Sequence, residues 1–296
     1  MVDITILTQR SYYEPRELTP YIQNILEEAS LLSNALESRG LTVSRTYWDN
    51  PNYDWTQTKA VIFRTVWDYF ERFEEFNKWL GDVNQQTTLI NPLKLIRWNI
   101  DKHYLKDLSL KGIKIIATEF IDTGKHKLLS SICESRGWSD IVIKPAISGG
   151  AFHTYKNKKA NISEHEALFK ELVTERDMLV QEFQPTIMSR GEASLMIFNG
   201  KYTHAILKKA KPGDYRVQED FGGTVHSYEP SDDEIKLVEK IFASCNPIPA
   251  YGRVDIVWDD KGVPMLSELE IIEPELWVRN NPSSANNLVD GIMQYL

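Results

Sequence analysis

Arg253, Asp255, Glu268 and Glu270 are the residues of this 296-residue chain whose types and spacing point most directly to chemistry. They fall in two apolar runs, Tyr251 to Trp258 and Val263 to Ile271, separated by the turn sequence Asp259-Asp260-Lys261-Gly262, so a β-hairpin is expected. With those four residues as the loop, Trp258 pairs with Val263, Asp255 lies opposite Leu266, and Arg253 opposite Glu268. Side chains alternate between the two faces of a strand. Val254, Ile256, Trp258, Met265, Leu269 and Ile271 then share an apolar face, and Arg253, Asp255, Glu268 and Glu270 share the other. A loop one residue longer would break this sorting. Three carboxylates held that close repel one another unless a cation joins them. An all-oxygen set suits magnesium, which keeps several waters and bridges carboxylates to phosphates. The apolar residues Ile272, Leu276 and Trp277 follow and favour a cleft over a solvated face.

A second group carries positive charge and free backbone. Ile141-Val142-Ile143-Lys144-Pro145 is an apolar strand ending in a lysine, followed by Ser148-Gly149-Gly150-Ala151. Such a loop lets backbone N–H groups approach phosphate oxygens, and the lysine adds a charge beside them. The lysine precedes the glycines, so this is not a P-loop. Lys102 opens a helix after Trp98-Asn99-Ile100-Asp101. The strand Met178 to Phe183 ends in Gln181, Glu182 and Phe183, whose backbone groups suit an adenine, and Glu192 after Gly191 suits ribose hydroxyls. Each of these features alone is ordinary.

The elements that must position these residues change character along the chain. At the start come a strand (Ile4 to Leu7), a helix marked by Ile22, Ile25, Leu26, Ala29, Leu32 and Leu36 and ended by Gly40, and strands Leu41 to Tyr47 and Ala60 to Phe63. A helix through Phe73, Phe76 and Leu80 follows. This order predicts a small parallel sheet with covering helices, closed at Asn91-Pro92. Thr8-Gln9-Arg10-Ser11 after the first strand is no dinucleotide fingerprint. Arg64 and Asp68 follow the strand Ala60 to Phe63, where open α/β sheets bind ligands, and they match an amino-acid-like substrate by charge. A helix from Asn99 to Leu110, a strand Ile115 to Phe120 and a helix Glu164 to Val173 come next. After the strand at Met178, hairpins dominate: Ser194 to Phe198 with Tyr202 to Leu207 about Asn199-Gly200, then the acidic hairpin, with a helix Asp232 to Ala243 between them.

Composition excludes several classes. The net charge of -8 disfavours general nucleic-acid binding, which needs a basic face. No apolar run approaches a membrane span, and Met1-Val2-Asp3-Ile4 has no basic segment ahead of an apolar one, so neither a membrane partner nor a secretory signal is expected. Cys133 and Cys245, far apart and in no metal spacing, read as free thiols in a cytoplasmic protein.

Taken in chain order, Lys102, Lys144-Pro145 with its glycine loop, Leu179-Val-Gln-Glu-Phe183, Gly191-Glu192, Arg253-Val-Asp255 and Glu268-Leu-Glu270 resemble the ATP-grasp superfamily over roughly residues 91 to 280. Tyr251-Gly-Arg-Val-Asp-Ile is similar to the D-alanine ligase segment that carries a catalytic arginine and a metal aspartate. Gly213-Asp214-Tyr215-Arg216 with Gly222-Gly223 is similar to the substrate and phosphate loop of bacterial glutathione synthetases. Phe63-Arg-Thr-Val-Trp-Asp-Tyr69, Arg97-Trp-Asn-Ile-Asp-Lys102, Asp214-Tyr-Arg-Val-Gln-Glu-Asp220 and Glu268-Leu-Glu-Ile-Ile-Glu-Pro274 look like the glutathione-synthetase-like group that includes cyclo-ligases of the cycloserine pathway. The superfamily usually has asparagine where Glu270 stands; a glutamate keeps the oxygen ligand and adds a charge.

The resemblance implies an α/β and α+β chain of three parts: a pre-ATP-grasp substrate domain (1–92), a central lid subdomain (93–178) and a mostly antiparallel C-terminal domain with the metal site (179–296). It implies an ATP-dependent C–N ligase with magnesium. Lys102, Lys144, Ser148, Gly149, Gly150, Gln181, Glu182, Phe183 and Glu192 would bind ATP, Asp255, Glu268 and Glu270 the metal, and Arg253 and Arg216 the charge that grows in the reaction. The substrate would be a small amino-acid-like molecule, joined to an amine or closed on itself. A kinase on the same fold or a nucleotide-binding module without turnover are the alternatives, and a homodimer is left open. The glycine loop is expected to close over bound phosphates.

Overall fold

The computed structural model describes residues 1–296. Its first sheet holds β1 (Val2–Thr8), β2 (Val43–Tyr47), β3 (Thr58–Thr65) and β4 (Thr88–Ile90), in the order β2-β1-β3-β4 with every pairing parallel. Parallel strands need crossovers, and helices Pro20–Ser38 and Phe73–Val83 supply them. The first begins at Thr19, whose side chain accepts the Ile22 N–H, with Pro20 in the first turn where no N–H is needed. Alternation sends Ile4, Ile6, Ala60 and Ile62 to the face with Leu32 and Leu36, and Leu7, Val61 and Phe63 to the face with Phe76 and Leu80.

The second sheet holds β5 (Thr118–Ile121), β6 (Asp140–Pro145), β7 (Tyr155–Lys158) and β8 (Met178–Glu182), antiparallel in the order β5-β8-β6-β7. Ile141, Ile143, Met178 and Val180 pack with helices Leu129–Arg136 and Ser163–Glu175 into a separate core. Val142 and Lys144 are left for the opposite face. Because β8 is an inner strand of this sheet, the central unit extends to Glu182, and a boundary at 178 would cut it.

The third sheet holds β9 (Glu192–Phe198), β10 (Lys201–Lys209), β11 (Thr224–Ser227), β12 (Tyr251–Trp258) and β13 (Pro264–Glu270), antiparallel in the order β11-β10-β9-β12-β13. Its inner face, with Leu195, Ile197, Val254, Ile256, Trp258 and Leu269, packs on helices Tyr104–Leu110 and Asp232–Ala243. The other face changes character along the strands. Met196, Phe198, Ile206 and Tyr251 join the core of the first sheet, ionic residues follow, and Val257 and Met265 end it. No helix is long and apolar enough to cross a membrane.

Three expectations change. The helix expected over 99–110 is two, Leu93–Ile100 and Tyr104–Leu110, because the Lys102 N–H leaves the helical ladder for Ala146 O at 2.9 Å. The strand expected from Ile115 starts at Thr118. In the last hairpin Trp258 pairs with Pro264, so the loop is one residue longer than expected. A shift in register between Asp255 and Ile256 leaves Ser267 as a bulge, after which Asp255 faces Glu268 and Arg253 faces Glu270. The two offsets move the pairing by two residues, which restores the facing. The acids keep a common face, while Leu266 takes the core position expected for Met265.

Asn91 and Asn99 fasten the third sheet to what precedes it. Asn91 Nδ2 donates to Tyr251 O (3.1 Å) and Ile271 O (2.7 Å), and its Oδ1 accepts Ala250 N–H (2.6 Å). Asn99 bonds Leu269 O and Ile271 N–H in the same way. Buried unpaired backbone groups cost about 1–3 kcal/mol each. Asn91→Ala is therefore expected to lower unfolding free energy by roughly 3 kcal/mol, read from urea denaturation; a loss within about 0.5 kcal/mol would show that water replaces the amide.

Candidate active site

A cleft of about 520 Å³ opens between the second and third sheets and reaches the first. Lys102, Lys144, Ser148, Gly149, Gly150, Gln181, Glu182, Phe183, Glu192, Arg216, Arg253, Asp255, Glu268, Glu270 and Asp68 all line it.

Its centre is the ionic stripe of the third sheet. Arg253 donates from Nε to Asp255 Oδ1 and from Nη2 to Asp255 Oδ2, both at 2.9 Å, and also bonds Glu270. Asp255 further accepts Ser194 Oγ (2.5 Å) and Lys208 Nζ (3.2 Å), and Lys208 reaches Glu192 at 2.6 Å. Burial alone would raise the proton affinity of Asp255; Arg253 and then Lys208 overcome it, and the carboxyl stays well below the usual range. Glu268 pairs with Lys102 at 3.1 Å, and Lys102 also donates to Ser148 O at 2.5 Å.

Lys144 differs from Lys102 and Lys208, the other lysines of the cleft, because it takes part in no ion pair. Burial lowers its pKa, while Glu268 opposes and Lys102 adds to the fall. Burial, against Arg253 but with Glu268 and Asp255, pushes Glu270 up to about 7, and burial with Glu270 nearby takes Glu273 to about 8. The acids are thus crowded beyond what the neighbouring cations relieve.

This donor set fits a hard divalent cation. Glu268 and Glu270 keep 28% and 30% of their side-chain surface open to the cleft. Asp255, at 4%, has both oxygens engaged by protein donors. The three do not come within 4.8 Å of one another; the trio that does is Asp101, His103 and Asp177.

Two expected residues sit differently. Arg64 does not line the cleft: it is buried, donates to Pro274 O at 3.0 Å and lies 5.7 Å over the Tyr251 ring. The end of β3 turns it into the junction between units, where it braces the wall. Arg216 is on the cleft wall but outside the Arg253 network, tied to Asp214 at 2.8 Å and stacked 4.0 Å over Phe221. Asp68 is held by Trp48 Nε1 and Arg72.

Lys208 and Ser194 were not anticipated. A two-residue turn at Asn199-Gly200 pairs Glu192 with Leu207, but a shift between Tyr202 and His204 brings Lys208 opposite Glu192. Gly191 permits this approach: a Cβ there would stand 2.4 Å from Lys208 O, and its φ is +93°. Ile116, Val142, Ile187 and Val257, apolar residues that line the cleft with Phe183, come from separate stretches of the chain, and no local pattern announces them.

The three-part architecture and this cleft define the ATP-grasp class. A solved ATP-grasp ligase, PsnB complexed with a phosphomimetic precursor variant, Mg and ADP, superimposes with a TM-score of 0.63 at 12% identity, covering 100% of this chain and 99% of that one. The crystal structure of D-cycloserine synthetase DcsG superimposes with a TM-score of 0.86 at 24% identity, covering 98% of each chain. The family model for the N-terminal domain of D-cycloserine synthetase DcsG matches residues 4–91. The cycloserine biosynthesis protein DcsG of Streptomyces lavendulae is 30% identical over 270 residues, 83% of this chain and 86% of that protein. The chain belongs to the DcsG family of ATP-grasp carboxylate–amine ligases.

Proposed function

We propose that this ligase activates the carboxylate of a small amino-acid-like substrate as an acyl phosphate and lets a nitrogen of the same molecule close the ring. The observation that supports it best is one cleft holding Lys102, Lys144 and Lys208 beside Arg253 and the acids of β12 and β13. Phosphoryl transfer needs positioning and charge neutralisation more than covalent help. In the proposed sequence a substrate carboxylate oxygen takes the γ-phosphoryl group of ATP, releasing ADP. The nitrogen then attacks the carbonyl carbon, inorganic phosphate leaves and the nitrogen gives up a proton. Lys102 and Lys144 hold phosphate oxygens, with the Ser148 to Gly150 backbone beside them. Gln181, Glu182 and Phe183 hold the adenine, and Glu192 the ribose. Glu268 and Glu270, with Asp255 behind them, would hold magnesium, which neutralises phosphate charge when bound. Arg253 is fixed by Asp255 and Glu270 to meet the charge that develops on the tetrahedral intermediate. Arg216 serves the same charge if it leaves Asp214.

Ring closure is favoured over joining two molecules by the likeness to DcsG, whose name places it in cycloserine biosynthesis. The test is phosphate release from ATP across a panel of amino acids and β-substituted serines, with mass spectrometry of the products. A product lighter than its substrate by one water supports cyclisation. A product combining two substrates replaces it with intermolecular ligation, and a stable phosphate ester replaces ligation with a kinase.

A further inference from the structure

The segment Trp67-Asp68-Tyr69-Phe70 touches all three units, successive residues going to different ones. Trp67 Nε1 donates to Glu273 O at 2.8 Å, and the buried Tyr69 lies beside the Glu273 carboxyl, so both face the wall beyond β13. Asp68 accepts Trp48 Nε1 at 2.9 Å and stays with the first unit. Phe70 meets the glycine loop. Two of its ring carbons lie 2.8 and 2.9 Å from where a Cβ on Gly149 would stand, and its centroid is 5.6 Å from that of Phe152. Ile147 packs against the same first-unit core as Phe70, and Lys102 holds Ser148 O beside it.

We propose that Phe70 is a positioning residue that latches the glycine loop against the first unit. It sets the loop where its backbone meets nucleotide phosphates and ties that placement to the Trp67 and Tyr69 wall. This rests on the reading of Ser148 to Gly150 as a phosphate loop. Gly149 is then glycine for a steric reason: any side chain would displace the latch. Besides the packing of Ile147, the loop is held on this side by the Lys102 bond, a contact that a bound phosphate can compete for. Without the aromatic contact, the loop samples open positions that admit water to an acyl phosphate.

The test is hydrogen exchange on the full chain with magnesium and the non-hydrolysable analogue AMPPNP, comparing the native protein with Phe70→Ala and Phe70→Leu. In the native protein AMPPNP is expected to slow exchange both at 147–153 and at β8. Phe70→Ala should exchange about tenfold faster at 147–153 with β8 unchanged, the scale of one lost aromatic contact, and Phe70→Leu should recover most of the protection. A general loss of structure would move both segments. Calorimetry adds a second arm: Gly149→Ala should weaken AMPPNP binding in the native background and much less in Phe70→Ala. If AMPPNP binds and protects 147–153 equally in all three proteins, or if Gly149→Ala costs the same in both backgrounds, Phe70 is not a latch. If AMPPNP protects neither segment of the native protein, the nucleotide reading fails and the latch with it.

Discussion

Glu268→Gln is expected to lower turnover about a thousandfold, near 4 kcal/mol of transition-state stabilisation, with little change in thermal midpoint. The substitution keeps the side chain's size and its place on β13 opposite Asp255. It removes the charge that faces Lys102 at 3.1 Å and opens to the cleft beside Glu270. Gln still offers the buried Lys102 a carbonyl oxygen, and with Glu268 more than a quarter exposed the expected loss to folding is about 1 kcal/mol. The loss should therefore appear in catalysis, with a higher magnesium concentration needed for half-maximal rate. Turnover within about tenfold of native at ordinary magnesium would remove Glu268 from the metal set.

Lys144→Ala is expected to weaken ATP binding about thirtyfold, close to 2 kcal/mol, the scale of a hydrogen bond to a charged group. Lys102 is pinned by Glu268 and Ser148 O, and Lys208 by Glu192 and Asp255. Lys144 alone is unengaged, at the cleft end of β6, already lowered in pKa by burial. A desolvated cation with no internal partner gains most from an incoming phosphate. Calorimetric affinity within about twofold of native would return Lys144 to a packing role.

What was legible in the sequence follows the range over which each signal acts. The helices Pro20–Ser38 and Asp232–Ala243 carry periodic apolar residues, and the second adds a Ser231–Glu234 capping box; both lie close to where the pattern puts them. The turn at Asn199-Gly200 was equally plain, both residues having positive φ. The face shared by Arg253, Asp255, Glu268 and Glu270 was legible by alternation, yet their pairing was not, because the bulge at Ser267 answers to Glu192 across the sheet, which its hydroxyl bonds at 2.9 Å. The short strand Tyr155–Lys158 and the helix Ser284–Ile292 escaped for the same reason. The first has no alternation of its own, and the second is fixed by packing against the helix Pro20–Ser38 at the far end of the chain. The burial of Arg64 was not legible because charge and strand position do not reveal that Tyr251 and Pro274 close over it.

The shared core beneath Asn91 bears on modularity. Ile4, Ile6, Leu32 and Ile62 share a core with Met196, Phe198 and Ile206 of the third sheet and with Tyr251, Leu276, Ala285, Leu288 and Ile292, so the opening ninety-odd residues complete their interior with material from β9 and β10 and, above all, from the last fifty residues. Expressed alone, that segment would expose a contiguous apolar flank and tend to self-associate. Exchanging it between relatives to change substrate choice would carry a penalty unless the closing helix Ser284–Ile292 travelled with it. The middle unit, with its own sealed interior, is the piece of the chain that recombination could replace at least cost.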